Sequence, residues 1–97
     1  MPEVKTQPVT ATLFNDIDQV HTKPGAFEYY KDKDGYPAGM LYCCPCGCGA
    51  TGALAFRPRQ SPSWDWDGNL EKPTLQPSVH HPGHWHGYLT AGVWISC

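Results

Sequence analysis

Four of the five cysteines lie within six residues, in the run Cys43-Cys44-Pro45-Cys46-Gly47-Cys48. Secreted disulfide frameworks usually spread their cysteines so that each bridge closes a sizeable loop, and adjacent or alternate cysteines cannot pair without strain. No export signal is visible at the N-terminus. The run therefore predicts metal binding in preference to disulfide bonding. This prediction restricts the fold, because several ligands must converge on one ion.

The glycine and proline content, ten of each in 97 residues, is roughly twice the usual share. Such a chain has little room for long helices, and its length suits one domain with a modest core. A small core of this kind gains from a cross-link or a metal. We therefore expect an all-β protein with little helix, a twisted assembly of sheets and hairpins stapled by one zinc site.

The residue pattern predicts short strands and a C-terminal hairpin. The strands are predicted at residues 27–30, 40–42, 53–56, 64–66 and 73–79, and the hairpin at 85–95. The two prolines of segment 73–79 favour an edge or crossing strand. Residues 1–24 are interpreted as an N-terminal arm or edge element, and residues 25–97 as the metal-binding β domain. The core is expected to contain the four tryptophans, Trp64, Trp66, Trp85 and Trp94.

The candidate metal ligands follow an alternating spacing. Three cysteines of the run occupy alternate positions, which an extended segment places on one face, and two downstream histidines share that spacing. Cys97 ends the predicted hairpin and could lie beside a histidine across adjacent strands. The candidate ligands are Cys44, Cys46, Cys48, His84, His86 and Cys97. Both a Cys₂His₂ and a Cys₃His set suit tetrahedral Zn²⁺, and a zinc knuckle-like Cys43-x-x-Cys46 pair is a further possibility.

The low charge of the chain and its lack of long apolar stretches argue against binding to nucleic acid or to a membrane. The net charge is −2 with seven Lys and Arg, and residues 73–97 contain no Asp, Glu, Lys or Arg. Binding to nucleic acid by phosphate neutralisation is therefore disfavoured. No apolar stretch approaches the length of a membrane span. We expect a cytoplasmic protein that binds neither nucleic acid nor membrane.

Three motifs together resemble a known family. They are the Cys-Pro-Cys-Gly-Cys-Gly run at 44–49, the Pro-Thr-Leu-Gln-Pro-Ser segment at 73–78 and the segment 86–92, with Trp64 between the first two. Over residues 25–97 the chain resembles the domain of unknown function family 6527. The resemblance implies a metal-binding β fold and a bacteriophage or prophage source, without an established activity. Where the family has a cysteine three residues before the matching histidine, this chain has Gly83.

The sequence favours a non-catalytic function. We expect a small phage-type protein with a structural zinc that acts as a binding or accessory module toward a host or phage protein. No residue is assigned a catalytic role, because no His-Glu-x-x-His or His-x-Glu motif is present. The alternative is a zinc-dependent hydrolase with an open metal position, for which Glu28, Asp65 and Asp67 are the candidate bases.

Overall fold

The computed structural model describes residues 5–19, 23–57 and 63–97. The described residues form nine strands and one 3₁₀ turn at Ile17–Gln19, and they contain no α-helix. The strands are β1 (Val9–Thr10), β2 (Thr12–Leu13), β3 (Ala26–Lys31), β4 (Pro37–Cys43), β5 (Thr51–Ala55), β6 (Asp65–Trp66), β7 (Leu75–His81), β8 (Trp85–Thr90) and β9 (Val93–Ser96). The prediction of an all-β fold is confirmed.

The strands build two sheets. One has the order β1-β9-β8-β7-β6, with every pair antiparallel. The other has the order β2-β3-β4-β5, in which only the short β2–β3 pair is parallel. The chain passes from one sheet to the other at Ala11, between β1 and β2. At the opposite edges a parallel bridge joins Phe56 to Trp64, so the sheets are connected along both sides.

The inner faces of the two sheets pack together and form one main core. Its buried members include Phe27, Met40, Tyr42 and Leu54 from one sheet, and Leu75, Val79, Trp85, Leu89 and Trp94 from the other. Trp85 and Trp94 are fully buried, with their rings edge to face at 5.8 Å. The core role predicted for these two tryptophans is confirmed. Trp64 and Trp66 are only partly buried and pack against the core from its margin.

The predicted C-terminal hairpin is present as β8 and β9. Ala91 and Gly92 connect the two strands and both have positive φ, 47° and 76°. Two consecutive residues with positive φ are the requirement of a type I′ turn, whose twist matches that of the flanking strands. The hairpin fixes the alternation of β8, in which Trp85, Gly87 and Leu89 are buried.

Strand β7 lies inside its sheet, between β6 and β8, so the prediction of an edge or crossing position for 73–79 is wrong. Leu75 pairs with Leu89 and Val79 pairs with Gly87, so three residues of β7 oppose one residue of β8. Proline has no N–H to donate, and this irregular register accommodates Pro77 within an internal strand.

The described residues of the first 19 reach both sheets. Val9 and Thr10 pair with β9, and Leu13 pairs with Phe27 of β3. The Thr6 backbone N–H donates to Ser96 Oγ at 2.9 Å, while Trp85 Nε1 donates to Thr6 Oγ1 at 3.1 Å. The division of the chain into an arm of residues 1–24 and a domain of residues 25–97 stays a prediction.

Replacing Trp94 by alanine is expected to cost about 3–5 kcal/mol of the free energy of unfolding, because it opens a cavity in the core. Trp94 is completely buried against Tyr42, and its Nε1 donates to Gly25 O at 3.0 Å. Urea unfolding followed by circular dichroism measures the cost. Trp94→Phe keeps much of the packing but loses the hydrogen bond, and it should fall between the wild type and Trp94→Ala.

Ile95→Ala is the matched control on the same strand, since Ile95 is 41% exposed on the outer face. Its cost should stay below about 1 kcal/mol. A similar loss of stability at both positions would contradict the placement of the core.

Candidate functional site

Three cysteines of the crowded run converge. The ligand atoms of Cys44, Cys46 and Cys48 all lie within 4.8 Å of one another. The Cys44 thiol donates to Cys46 Sγ at 3.3 Å. A tight loop after β4 arranges them: Gly47 N–H donates to Cys44 O, Cys44 N–H donates to Ala50 O, and Gly47 has a φ of 84°. We call these three residues the sulfur group.

The sulfur group differs in exposure and acidity across its members. Burial, the largest effect, raises the pKa of the Cys44 thiol well above its ordinary value. Cys48 is exposed, and its pKa is lowered: burial acts upward, but hydrogen bonds from the Ala50 backbone and from the other two thiols outweigh it. One sulfur thus ionises readily beside another that holds its proton. A metal ion would displace such protons, because thiolates are its ligands.

The sulfur group contains three of the six predicted metal ligands. His84, His86 and Cys97 lie outside it, and their ligand roles stay predictions. Cys43, the other member of the knuckle-like pair, is buried in a separate small cluster with Ile17 and Ala26. Three soft sulfur ligands in this space could hold a metal ion, as the sequence predicts.

A second group of polar side chains lies on the sheet that contains β7 and β8. Ser78 Oγ is 2.9 Å from His86 Nε2, within hydrogen-bond distance. Both side chains are half-buried. Their strands turn the neighbouring residues Val79, Trp85 and Gly87 into the core, so Ser78 and His86 face outward. A serine hydroxyl held against an imidazole nitrogen is the arrangement of a nucleophile and its general base.

The bulge in β7 positions Ser78. Ser78 belongs to the three residues of β7 that oppose the single residue Tyr88 of β8. Trp64 Nε1 donates to Ser78 O at 3.1 Å and so fixes the backbone at this point. Bulges re-aim side chains next to active sites. Two positions further along β7, His80 pairs with His86 across the strands, and their rings are 4.7 Å apart.

An open cleft of about 440 Å³ begins beside Ser78. Gln76 and Pro77, which precede Ser78 in the chain, line it together with Tyr88 and Thr90 of β8. An ion pair between Arg57 and Asp65, with N–O 2.8 Å, forms its other side. A substrate segment in this cleft would lie against Gln76 and Pro77, the residues that precede Ser78.

Sequence reasoning missed Ser78 and placed His86 among the metal ligands. The spacing His84-x-His86 pointed to a metal, and no catalytic spacing marks a serine eight residues before its partner. The signal that was available is Pro77, which interrupts a strand and so indicates an irregular backbone next to Ser78.

His81 is the last residue of β7, just before the turn that leads to β8. Its ring is 4.8 Å from that of His84 and 6.3 Å from that of Tyr42. Its Nδ1 is buried without a hydrogen-bond partner among the described residues. Burial first, and then the neighbouring His84 and His80, lower the pKa of His81. Burial, followed by the charges of Cys44 and Cys48, raises the pKa of Tyr42 to about 12.

The fold and the site together define a small β-sandwich with a Ser–His pair on one sheet and a sulfur group on the other. Residues 14–97 match the family model of BubE, described as the bacterial ubiquitination-like system serine protease, and the chain belongs to this family. The expectation of a small-domain family is confirmed, and the matching family model is that of BubE. The match does not show the domain of unknown function 6527 specifically. No curated protein and no solved structure matches the chain.

The family description bears on two further expectations. It names a bacterial system, and the phage source expected from the sequence is not shown. It also names a protease, so it does not support a module without catalytic activity. In the part of the chain that the structure describes, no helix has the length and apolar character to cross a membrane.

We expect alkylation of the metal-free protein to distinguish Cys48 from Cys44. Cys48 is exposed and has a lowered pKa, so more of it is thiolate at neutral pH, whereas Cys44 is buried with a raised pKa. Mass spectrometry during iodoacetamide treatment at pH 7 should find Cys48 modified well before Cys44. Cys48→Ser should remove that early modification. Equal rates at both residues would contradict the described difference.

Proposed function

We propose that this protein is a serine peptidase in which Ser78 is the nucleophile and His86 the general base. The contact of 2.9 Å between Ser78 Oγ and His86 Nε2 carries the proposal. Membership of a family described as a serine protease supports it independently. The non-catalytic module expected from the sequence is set aside, because it leaves this contact without a use.

The geometry suits acyl transfer. As Ser78 Oγ attacks the carbonyl carbon of a peptide bond, His86 Nε2 takes the hydroxyl proton, and the resulting imidazolium then donates it to the leaving amine. The acyl group stays on Ser78 as an ester. Water, deprotonated by the same imidazole, attacks the ester carbonyl. As the bond between the acyl carbon and Ser78 Oγ breaks, the imidazolium returns the proton to Ser78 Oγ and the acid leaves. The same two side chains thus serve both halves of the reaction.

His80 is proposed to position the base. A general base is usually oriented by a third group, and the ring of His80 lies 4.7 Å from that of His86 on the same face of the sheet. This contact restricts the rotation of the His86 ring. We therefore assign His80 a positioning role and no proton transfer.

The proposed substrate is a polypeptide that belongs to a ubiquitination-like system. The cleft that begins at Pro77 is open to solvent, and it is lined by the ion pair of Arg57 and Asp65. The system comes from the name of the family. The host or phage protein expected from the sequence as a binding partner stays a prediction.

We further propose that the sulfur group holds zinc as a structural metal. Soft thiolates favour zinc among the common divalent ions, and a closed set of four ligands is typical of structural sites. The sulfur group contains no carboxylate among the described residues, so a base for a zinc-bound water is missing there. The zinc hydrolase alternative therefore has less support than the Ser–His pair.

Ser78→Ala and His86→Ala should each lower kcat/KM for peptide cleavage by at least about 10³-fold, because the pair acts as one unit. Labelling by a fluorophosphonate, which reacts with activated serines, should be lost in Ser78→Ala. Ser63→Ala is the matched control and should keep both activity and labelling. Persistent labelling of a folded Ser78→Ala protein would refute the assignment.

Purified protein should contain one zinc ion per chain by atomic emission. Cys44→Ser and Cys46→Ser should each lose most of the metal and lower the melting temperature, because metal binding is coupled to folding. Cys97→Ser should retain the metal, since Cys97 lies outside the sulfur group. Loss of zinc in Cys97→Ser would restore Cys97 to the ligand set predicted from the sequence.

A further inference from the structure

The sulfur group supplies three ligands, and a structural zinc site needs four. The missing ligand must come from elsewhere in the fold. The sulfur group follows β4 of one sheet. In the other sheet, His81 ends β7 and His84 lies in the turn before β8. A ligand from that turn would connect the two sheets through the metal.

His81 is half-buried and lies on the inner face of its sheet. It pairs with Trp85 across β7 and β8, and paired residues of neighbouring strands share a face of the sheet. Trp85 is fully buried in the core. His81 therefore points inward toward the other sheet, whereas His80 and His86 point outward, on the face that carries Ser78.

Tyr42 contacts His81 and shares the core with Cys44. It precedes Cys44 by two residues in an extended segment, so both side chains face the core. The Tyr42 ring contacts that of His81 edge to face, with centroids 6.3 Å apart. His81 and Cys44 therefore both belong to the surroundings of Tyr42, although they come from different sheets.

The Nδ1 atom of His81 is buried and lacks a hydrogen-bond partner among the described residues. A buried polar atom without a hydrogen-bond partner destabilises the fold, because it has lost its water and gained nothing in exchange. Coordination of a metal ion would satisfy this nitrogen. His84, the neighbouring histidine on the turn, has no such atom in the structure.

We propose that His81 is the fourth zinc ligand and completes a Cys₃His site with Cys44, Cys46 and Cys48. The inference rests on the zinc site of the proposed function. His81 lies outside the 4.8 Å sulfur group, so ligation requires its ring and the cysteine loop to approach each other. The metal then ties the cysteine loop to the hairpin that carries Ser78 and His86.

The test compares His81→Ala with His84→Ala, a matched loss of one imidazole from the same turn. Zinc affinity is measured by competition with a chromophoric chelator, and Co²⁺ spectra report the ligand set. His81→Ala should weaken zinc binding by at least about tenfold, the smallest loss expected even for groups that only support a ligand. His84→Ala should change the affinity less than twofold. The assignment would be overturned if the two variants bound zinc with equal affinity, or if only His84→Ala lost affinity.

A measurement on the wild-type protein avoids any effect of the substitution on folding. Long-range ¹H–¹⁵N spectra resolve the ring nitrogens of each histidine. Addition of one equivalent of zinc should shift a ring nitrogen of His81 strongly and leave the tautomer of His84 unchanged. A shift of His84 or His86 with His81 unaffected would refute the proposal.

Fluorophosphonate labelling separates this inference from the peptidase. Zinc binding through His81 without labelling of Ser78 would refute the peptidase and leave the ligand assignment standing. Labelling of Ser78 without any zinc binding would refute the ligand assignment and leave the peptidase standing. If the metal anchors the hairpin, zinc-loaded wild type should also label faster than the metal-free protein, and equal rates would contradict that anchoring.

Discussion

The burial of Trp85 and Trp94 between the two sheets determines how the rest of the molecule is arranged. The two rings pack edge to face, and their indole nitrogens donate to Thr6 and to Gly25 O. They therefore attach the start of the chain and the entry to β3 to the C-terminal hairpin. Aromatic side chains of this size supply much of the area that a small β protein can bury.

The burial of Trp85 also determines which face of the sheet is occupied by the histidines of β7 and β8. Because Trp85 points inward, its cross-strand partner His81 does so too, while the next residue His86 points outward together with its partner His80. These three histidines thus divide into an outward pair, His80 and His86, and an inward residue, His81, in contact with Tyr42. From the sequence, the histidines of this segment were predicted to bind a metal. The sheet instead places some of them on its outer face and one on its inner face.

The features that depend on local pattern could be predicted. The turn chemistry of the C-terminal hairpin, the aromatic strand at 27–30 and the convergence of the three cysteines are readable from neighbouring residues, and the structure has each of them. The cysteines converge through a tight loop and not through the extended segment that the sequence suggested. The Ser78–His86 contact could not be predicted, because it depends on a change of register between β7 and β8. Irregular registers arise from the packing of the whole sheet and leave little trace beyond a proline.

The placement of Ser78 and His86 on adjacent strands of one antiparallel pair also determines how activity would be lost. A slip of one residue between these strands would turn His86 into the core and expose Trp85, since side chains alternate between faces. A change of register that separates the pair would therefore also disrupt the core. Loss of the pair should therefore accompany opening of the core strands, so that thermal inactivation follows global unfolding rather than local fraying.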